Sequence, residues 1–273
     1  MVKFDSLISK LERGALSKNE FEICLYRMKT HYDSVVDSEL LKCYGLPLDE
    51  VDEEVFLSTA KTSFKDEVYC IVDIETNGNS PIKNQIIEIG AIKVKNGEIL
   101  DRFESYVYAD YIPESIIRLT KIKVADLEGA PSLKSVLKEF KIFLGSSVFV
   151  AHNVNFDFGF ISKSLETVGE DELLNRKLCT VDLSRKTIDA PKHGLGFLKE
   201  FLDIEEGEHH RAFADALSAS KVMDVCLQNL PDDVKTTEDL IRFSKRAPAK
   251  KKKSVKSEKS QETEKEDTPQ HKV

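Results

Sequence analysis

The sequence contains no apolar run that approaches the roughly 18 uninterrupted residues a membrane-spanning helix requires. Its N-terminus, MVKFDSLISKLERG, mixes acidic and basic residues and lacks the apolar stretch of a signal peptide. These two absences predict a protein that is neither embedded in a membrane nor exported.

Cysteine is also sparse, and its pattern excludes two kinds of site. The five cysteines are odd in number, scattered and never arranged as C-x-x-C: Cys24, Cys43, Cys70, Cys179 and Cys226. Neither a disulfide framework nor a zinc site is therefore predicted, and a reducing cytoplasm is the expected location.

An excess of positive charge is missing as well. The net charge of −8 argues against a protein that coats nucleic acid through charge alone. It is compatible with an enzyme that meets phosphates through bound metal ions. With 273 residues, of which 41% are apolar, the chain can bury one main domain and still have residues left for extensions.

Residues 1–65 are predicted to form a small helical extension. Leu7 and Leu11 lie on one face of a helix, and Ser17 with Glu20 forms an S-x-x-E capping box before a second run of helical periodicity. Packing or docking is the favoured role for this extension over a part in catalysis.

Residues 66–246 mix strands with helices. Strands are predicted at Tyr69–Glu75, at Ile86–Lys95 and at Gly97–Tyr108, and an Asn-Gly turn joins the second strand to the third. The elements expected after them are a helix opened by Pro131, a buried strand at Ser147–Ala151, and helices at about Asn155–Val168, Leu195–Leu202 and Ala212–Leu230. This order predicts an α/β fold in which helices flank a mixed sheet.

The last segment, residues 247–273, has almost nothing to bury and is predicted to be a disordered lysine-rich tail. Its run Lys250–Lys253 could hold DNA or RNA weakly, although a solvated tail is the simpler interpretation.

Two acids in the first predicted strand raise the question of function. Asp73 and Glu75 are two residues apart, so they project to the same face while Val72 and Ile74 enter the other. Two adjacent carboxylates at the end of a buried strand repel each other and lose solvation, and a divalent cation would relieve both costs. The alternative is an exposed strand end with two ordinary acids.

The second candidate segment is VFVAHNVNFDFGF, in which Asp157 falls on the first turn of a helix. An acid at this position also has a purely structural explanation, because it caps the helix and complements its dipole. Phe156 and Phe160 lie one turn apart and either pack in the core or wedge against a nucleobase.

The third segment is HHRAFADALSAS, where Asp215 sits among alanines that allow a helix to approach another backbone closely. Five positions correspond to roughly 140° around a helix, so His210 and Asp215 would not share a face if both were helical. We therefore expect His210 in the loop before the helix, and geometry alone does not exclude His209.

Four acids on three segments together with one histidine suit a two-metal hydrolase. Carboxylate oxygens bind Mg²⁺ or Mn²⁺, and the lack of cysteine ligands disfavours zinc. A histidine, whose ordinary pKa is near 6.5, can take the proton from the attacking water.

The motifs VDIETNG, AHNVNFDFGF and HHRAFADA, in this order and at these separations, closely resemble the three motifs of the DEDDh family. These are the DnaQ-like 3′→5′ exonucleases, which include the proofreading epsilon subunit of bacterial DNA polymerase III. The resemblance spans residues 67–244 and includes the landmarks QIIEIGAIKV and IPESIIRLTKI. It implies a ribonuclease H-like fold and the stepwise release of nucleoside monophosphates from a 3′ end.

The resemblance also implies roles for individual residues. Two Mg²⁺ or Mn²⁺ ions would be held by four acids: Asp73, Glu75, Asp157 and Asp215. The general base would be His210, because the H-x-x-x-x-D spacing selects it over His209. The pocket for the terminal nucleotide would be formed by five residues: Thr76, Asn77, Gly78, Asn153 and Phe156.

Two departures from the family pattern concern the substrate more than the chemistry. Asn77 stands where a second threonine is usual, and Lys121 stands where glycine is usual. The tail contains no glutamine-plus-hydrophobic segment of the sort that binds a sliding clamp.

The favoured hypothesis is proofreading or repair on single-stranded or frayed DNA 3′ ends. The expected location is the cytoplasm, with the nucleoid, and the expected partner is a DNA polymerase catalytic subunit. The alternatives are an RNA-processing 3′→5′ exoribonuclease, since pocket details decide how the 2′-hydroxyl is read, and an inactive nucleic-acid-binding scaffold.

Overall fold

The computed structural model describes residues 4–29, 36–205 and 211–245. Its helices are α1 Asp5–Leu11, α2 Lys18–Lys29, α3 Ser38–Cys43, α4 Glu114–Thr120, α5 Leu133–Leu144, α6 Val154–Thr167, α7 Thr180–Thr187, α8 Leu195–Phe201, α9 Ala212–Gln228 and α10 Thr237–Lys245. Its strands are β1 Leu16–Ser17, β2 Leu48–Val51, β3 Glu54–Leu57, β4 Tyr69–Thr76, β5 Ile86–Lys95, β6 Glu98–Tyr106, β7 Val148–Ala151 and β8 Lys177–Cys179. Short 3₁₀ helices cover Ser58–Ala60 and Val124–Leu127.

The main sheet has five strands in the order β6-β5-β4-β7-β8. β4, β5 and β6 are antiparallel, whereas β7 and β8 continue the sheet parallel to β4. Asn96 and Gly97, with φ of 52° and 78°, form the turn between β5 and β6. Both residues of a type I′ hairpin turn need positive φ, so the predicted Asn-Gly hairpin is confirmed.

Side chains of β4 alternate between two hydrophobic cores, one on each face of the sheet. Cys70 and Val72 pack with α5 and α6, whereas Tyr69 and Ile71 pack with α7 and α9. This alternation is the period of two expected for a strand. The predicted α/β architecture, a mixed sheet flanked by helices, is confirmed.

Three α-helices and one strand described in this region were not predicted from the sequence: α4, α7, α10 and β8. β8 has only three residues, and α7 begins at Thr180 directly after the strand ends at Cys179. So short a strand gives no clear periodicity, and no turn residues separate it from the helix.

The N-terminal extension is only partly helical, so the prediction for it was incomplete. It contains α1 to α3, but also an antiparallel sheet in the order β1-β3-β2. Asp52 and Glu53 connect β2 to β3 with φ of 50° and 64°. Aspartate suits the first position of such a turn, but Glu53 stands where glycine usually follows, so the sequence carried only half of the usual hairpin signal.

The predicted capping box of α2 is present. Ser17 N–H donates to Glu20 Oε2 at 3.1 Å, and Glu20 N–H donates to Ser17 Oγ at 3.3 Å. The two side chains therefore satisfy each other's main-chain donors at the start of the helix.

The extension packs directly on the main domain. Leu174, from the segment before β8, belongs to the hydrophobic core of the extension. The buried guanidinium of Arg176 pairs with Glu238 of α10 at 2.6 Å and with Glu12 of the extension at 2.6 Å. A domain boundary after Lys65 thus stays a prediction, and residues 247–273, predicted to be disordered, lie outside the described residues. Across the described ranges, no helix has both the length and the apolarity to span a membrane.

Candidate active site and metal centre

Asp73 and Glu75 lie near the carboxyl end of β4, the central strand of the main sheet. Val72 and Ile74, the residues that alternate with them, are buried in the core under α5 and α6. The two carboxylates therefore project together from the opposite face, toward α9, as the sequence predicted.

The start of α9 completes the acidic cluster. Ala212, Ala216 and Ala219 are fully or almost fully buried, and these small side chains let α9 pack closely on β4 and β5. Asp215 on the same helix is 7% exposed. Ligand oxygens from three residues lie within 4.8 Å of one another, namely those of Asp73, Glu75 and Asp215.

Asp157, the fourth predicted acid, lies on the first turn of α6 and is 4% exposed. Burial raises the pKa of its carboxyl to about 7, although main-chain hydrogen bonds from Asp157 itself and Ile74 oppose the rise. It stands close enough to Asp73 for its charge to raise the pKa of that residue. The structure thus brings all four predicted acids to one place, with Asp157 beside the group of three.

The raised pKa values of the cluster show that ionisation of its carboxyl groups is unfavourable without a cation. Burial raises the pKa of Asp73 well above its usual range, and the charges of Asp157, Glu75 and Asp215 raise it further. Burial likewise raises the pKa of Glu75 to about 8, and the largest charge effect on it comes from Glu88 on the neighbouring strand. Loss of solvation and mutual repulsion therefore both oppose ionisation of these carboxyls.

The donor set fits a hard divalent cation. The group of three offers only carboxylate oxygens, which are the ligands that Mg²⁺ and Mn²⁺ prefer. A bound cation would favour the ionised carboxylates and offset both unfavourable effects.

The turn after β4, predicted to contact the terminal nucleotide, is held by its own side chains. Thr76 Oγ1 donates to Gly78 O at 2.9 Å. Asn77 Nδ2 donates to Tyr111 O at 3.1 Å, and Asn77 Oδ1 accepts a hydrogen bond from Gln85 N–H at 2.8 Å. The Asn77 side chain thus braces the turn, while its predicted role in substrate binding stays a prediction.

Asn153 and Phe156 frame the start of α6. Asn153 has φ of 85°, a left-handed conformation that asparagine tolerates better than most residues, and α6 begins at the next residue. Phe156 is 37% exposed, and its ring centroid lies 5.8 Å from that of the buried Phe160. Phe160 is core, as one of the two sequence interpretations required, whereas Phe156 keeps surface available for another ring.

The predicted general base, His210, and its neighbour His209 lie outside the described residues. The next residue, Arg211, has an extended backbone, and α9 begins at Ala212. The predicted placement of His210 in the loop before the helix therefore stays a prediction.

One histidine near the site was overlooked in the sequence, although it directly precedes Asn153. His152 Nε2 lies 2.9 Å from His193 O, and its Nδ1 lies 2.9 Å from Thr180 Oγ1. A carbonyl only accepts hydrogen bonds, so Nε2 carries the proton and Nδ1 accepts from the threonine hydroxyl. Burial lowers the pKa of His152 to about 4. This neutral, fully bonded ring joins the segment before α8 to the start of α6.

Comparison with a family model follows the same segments. The exonuclease family RNase_T matches residues 70–223. This match runs from β4 into α9 and covers more than half of the chain, including all four acids of the cluster.

Curated relatives match the same region. DNA polymerase III PolC-type of Staphylococcus haemolyticus is 39% identical over 194 residues, which cover 69% of this chain and 13% of that protein. The corresponding protein of Staphylococcus aureus (strain bovine RF122 / ET3-1) is 40% identical over 171 residues, covering 62% of this chain and 12% of that protein. The matches thus span about an eighth of the length of these relatives.

Two solved structures share the fold. Exonuclease X in complex with 5′ overhanging duplex DNA has a TM-score of 0.51 at 23% identity, covering 64% of this chain and 99% of that chain. E. coli Exonuclease I in complex with a dA16 oligonucleotide has a TM-score of 0.54 at 16% identity, covering 61% of this chain and 42% of that chain.

Proposed function

Because the chain belongs to the RNase_T exonuclease family, we propose that it hydrolyses DNA from the 3′ end and releases nucleoside monophosphates. The observation that carries this proposal is the convergence of Asp73, Glu75 and Asp215 within 4.8 Å, with Asp157 beside them. Such a cluster of carboxylates is suited to metal-assisted phosphodiester hydrolysis.

The four acids would hold two divalent cations, Mg²⁺ or Mn²⁺. When bound, these ions supply the positive charge that stabilises the negative charge developing on the phosphate. His210 would accept the proton of the attacking water, which is the part a histidine performs well near neutral pH.

The terminal nucleotide would lie between the turn Thr76–Gly78 and the start of α6. The hydrogen bonds of Thr76 to Gly78 and of Gln85 to Asn77 brace the turn, which favours a fixed position for the nucleotide. Asn153 would line this pocket, and the partly exposed ring of Phe156 would stack on a base.

We further propose that the enzyme removes mismatched or frayed 3′ ends during DNA replication or repair, beside a DNA polymerase catalytic subunit. Support comes from the relatives named DNA polymerase III PolC-type, which match 69% of this chain. Exonuclease X and Exonuclease I, which share the fold, are each described in complex with DNA.

The decisive experiment is a time course on single strands of DNA and RNA labelled at the 3′ or the 5′ end. It is run with Mg²⁺, with Mn²⁺ and with EDTA. Asp215→Asn tests the cluster, and Asp224→Asn, nine residues further along α9, serves as the matched control. We expect metal-dependent shortening of DNA from the 3′ end that Asp215→Asn abolishes and Asp224→Asn retains.

Other results would overturn parts of the proposal. Faster loss of RNA would reassign the enzyme to RNA processing. Absence of cleavage of both nucleic acids would leave a binding scaffold. Full activity of Asp215→Asn would remove the metal assignment of that residue.

A further inference from the structure

The strand beside the acidic cluster carries two residues to which neither the three motifs nor the proposed chemistry assigns a role, although both belong to the landmark QIIEIGAIKV. In the antiparallel pairing of β4 with β5, Asp73 lies opposite Gly90 and Glu75 lies opposite Glu88. Residues opposite each other in a ladder point to the same face, so Glu88 and Gly90 face α9 together with the two acids.

Glu88 is a buried acid that contacts the start of α9. It is 1% exposed, and its Oε1 accepts hydrogen bonds from Arg211 Nη2 at 2.9 Å and Nε at 3.2 Å. Its Oε2 accepts a hydrogen bond from Ala212 N–H at 3.1 Å. A buried carboxylate requires such compensation, and the N–H groups of a first helical turn lack partners within their own helix. Glu88 therefore provides an acceptor for the main-chain N–H at the start of α9, and the donors there compensate the burial of its carboxylate.

Gly90 permits the close contact that these hydrogen bonds need. A Cβ atom at this position would lie 2.1 Å from Phe213 N and 2.3 Å from the carbonyl carbon of Ala212. Both neighbours are main-chain atoms of α9, which cannot rotate away as a side chain can. Any larger residue would displace the helix from β5.

We propose that Glu88 and Gly90 are positioning residues, which seat the first turn of α9 on β5 and thereby hold Asp215 against Asp73 and Glu75. Asp215 lies one turn after the seated residues, and its N–H donates to Arg211 O at 3.0 Å. A shift of the helix start consequently moves the Asp215 carboxylate by a similar distance. The inference rests on the proposed function only for its catalytic readout, because the packing of α9 on β5 does not depend on the reaction.

Glu88→Gln is the first test, since glutamine has nearly the same shape but loses the charge and one acceptor. The matched control is Glu238→Gln, which disturbs another buried glutamate–arginine pair, at the junction with the N-terminal extension. We expect Glu88→Gln to lower kcat on a DNA oligonucleotide by about 10–100-fold while KM stays within about threefold. Glu238→Gln should lower the melting temperature and leave kcat near that of the wild type.

Gly90→Ala is the second test, because it shifts the helix without altering any charge near the metal ligands. Isothermal calorimetry with Mn²⁺ on each variant, after a cooperative thermal transition has shown that it folds, measures the cluster without using activity. We expect both Glu88→Gln and Gly90→Ala to weaken Mn²⁺ binding by about tenfold or more. Glu238→Gln should bind Mn²⁺ as the wild type does.

The positioning role is overturned if Glu88→Gln loses stability as Glu238→Gln does but keeps wild-type kcat and Mn²⁺ affinity. It is also overturned if Gly90→Ala folds and binds Mn²⁺ normally, since a charge effect alone would then explain Glu88→Gln. A wild-type protein that binds Mn²⁺ but cleaves no DNA would contradict the proposed function, and calorimetry would still decide whether Glu88 and Gly90 position Asp215.

Discussion

The carboxylates of Asp73 and Asp215 approach each other to within 4.8 Å, although one lies on β4 and the other on α9. Both strand and helix are well packed, so the two carboxyl groups cannot separate without disrupting the core, and ionising both is unfavourable. The fold thus holds these carboxyl groups so close that their ionised forms repel each other, and a bound divalent cation would offset this repulsion.

This repulsion predicts a pH dependence of stability in the metal-free protein, measured in EDTA. The folded-state pKa of Glu75 is about 8, above the ordinary value of 4.5, so the fold binds this proton more tightly than the unfolded chain does. The stabilising contribution is complete below about pH 4.5 and is lost as the pH rises through about 8. Glu75→Gln should therefore become progressively more stable than the wild type across this range.

Urea denaturation of both proteins at pH 5 and pH 8 measures the difference. Addition of Mn²⁺ should stabilise the wild type more than Glu75→Gln, because the variant lacks one ligand. An equal difference in the free energy of unfolding at the two pH values would contradict the shifted pKa.

His210 should behave as a general base and His209 should not. We expect His210→Ala to lower kcat by about 10²–10⁴-fold, since this is the usual contribution of a positioned base. His209→Ala is the matched control and should retain most activity. The pH profile of kcat is the additional readout, and it should lose its acidic limb in His210→Ala alone. Similar losses in the two variants would contradict the assignment by spacing.

His152 should make the fold sensitive to acid. Its folded-state pKa is about 4, below the ordinary value of 6.5, so the fold binds this proton less tightly than the unfolded chain does. Its neutral form is fully compatible with the fold above about pH 6.5, and stability is lost as the pH falls from there toward 4. The total loss should be roughly 3 kcal/mol.

NMR titration of the His152 ring, assigned by comparison with His152→Gln, checks this directly. We expect a midpoint clearly below 5 as long as the protein stays folded. A midpoint near 6.5 would show that burial does not hold the His152 ring in its neutral form.

The ion pair between Arg176 and Glu238 should stabilise the junction with the N-terminal extension. Their side chains are only 6% and 5% exposed, so Arg176→Met would leave a buried carboxylate without its cation. We expect a cost of about 3–5 kcal/mol in the free energy of unfolding. Arg185→Met, which breaks the exposed pair with Asp182, should cost less than about 1 kcal/mol. Equal costs in urea denaturation would contradict the structural role of the buried pair.

Local sequence signals were sufficient to predict much of the secondary structure of the main domain. β5 was predicted with its observed bounds, and the Asn-Gly hairpin was predicted from two residues. Such signals succeed because alternation and turn chemistry are properties of neighbouring residues. They failed for the Asp52–Glu53 turn, where a glutamate adopts positive φ at a position that usually holds glycine.

The sequence indicated that Glu88 needs a partner, but this residue was not singled out. A charged residue flanked by isoleucines in a buried strand needs a partner, yet the sequence does not say which one. Arg211 and Ala212 become its partners only when α9 folds back onto β5.

By itself, the sequence determined that Asp73 and Glu75 share one face of a strand, because their spacing is two residues, and the motif order pointed to Asp157 and Asp215 as the other candidate acids. Only the tertiary structure decided that Asp215 meets Asp73 and Glu75 within 4.8 Å and that Glu88 and Gly90 lie under the start of α9. The physical reason is that periodicity sets directions within one element, whereas distances between elements depend on how closely their backbones pack.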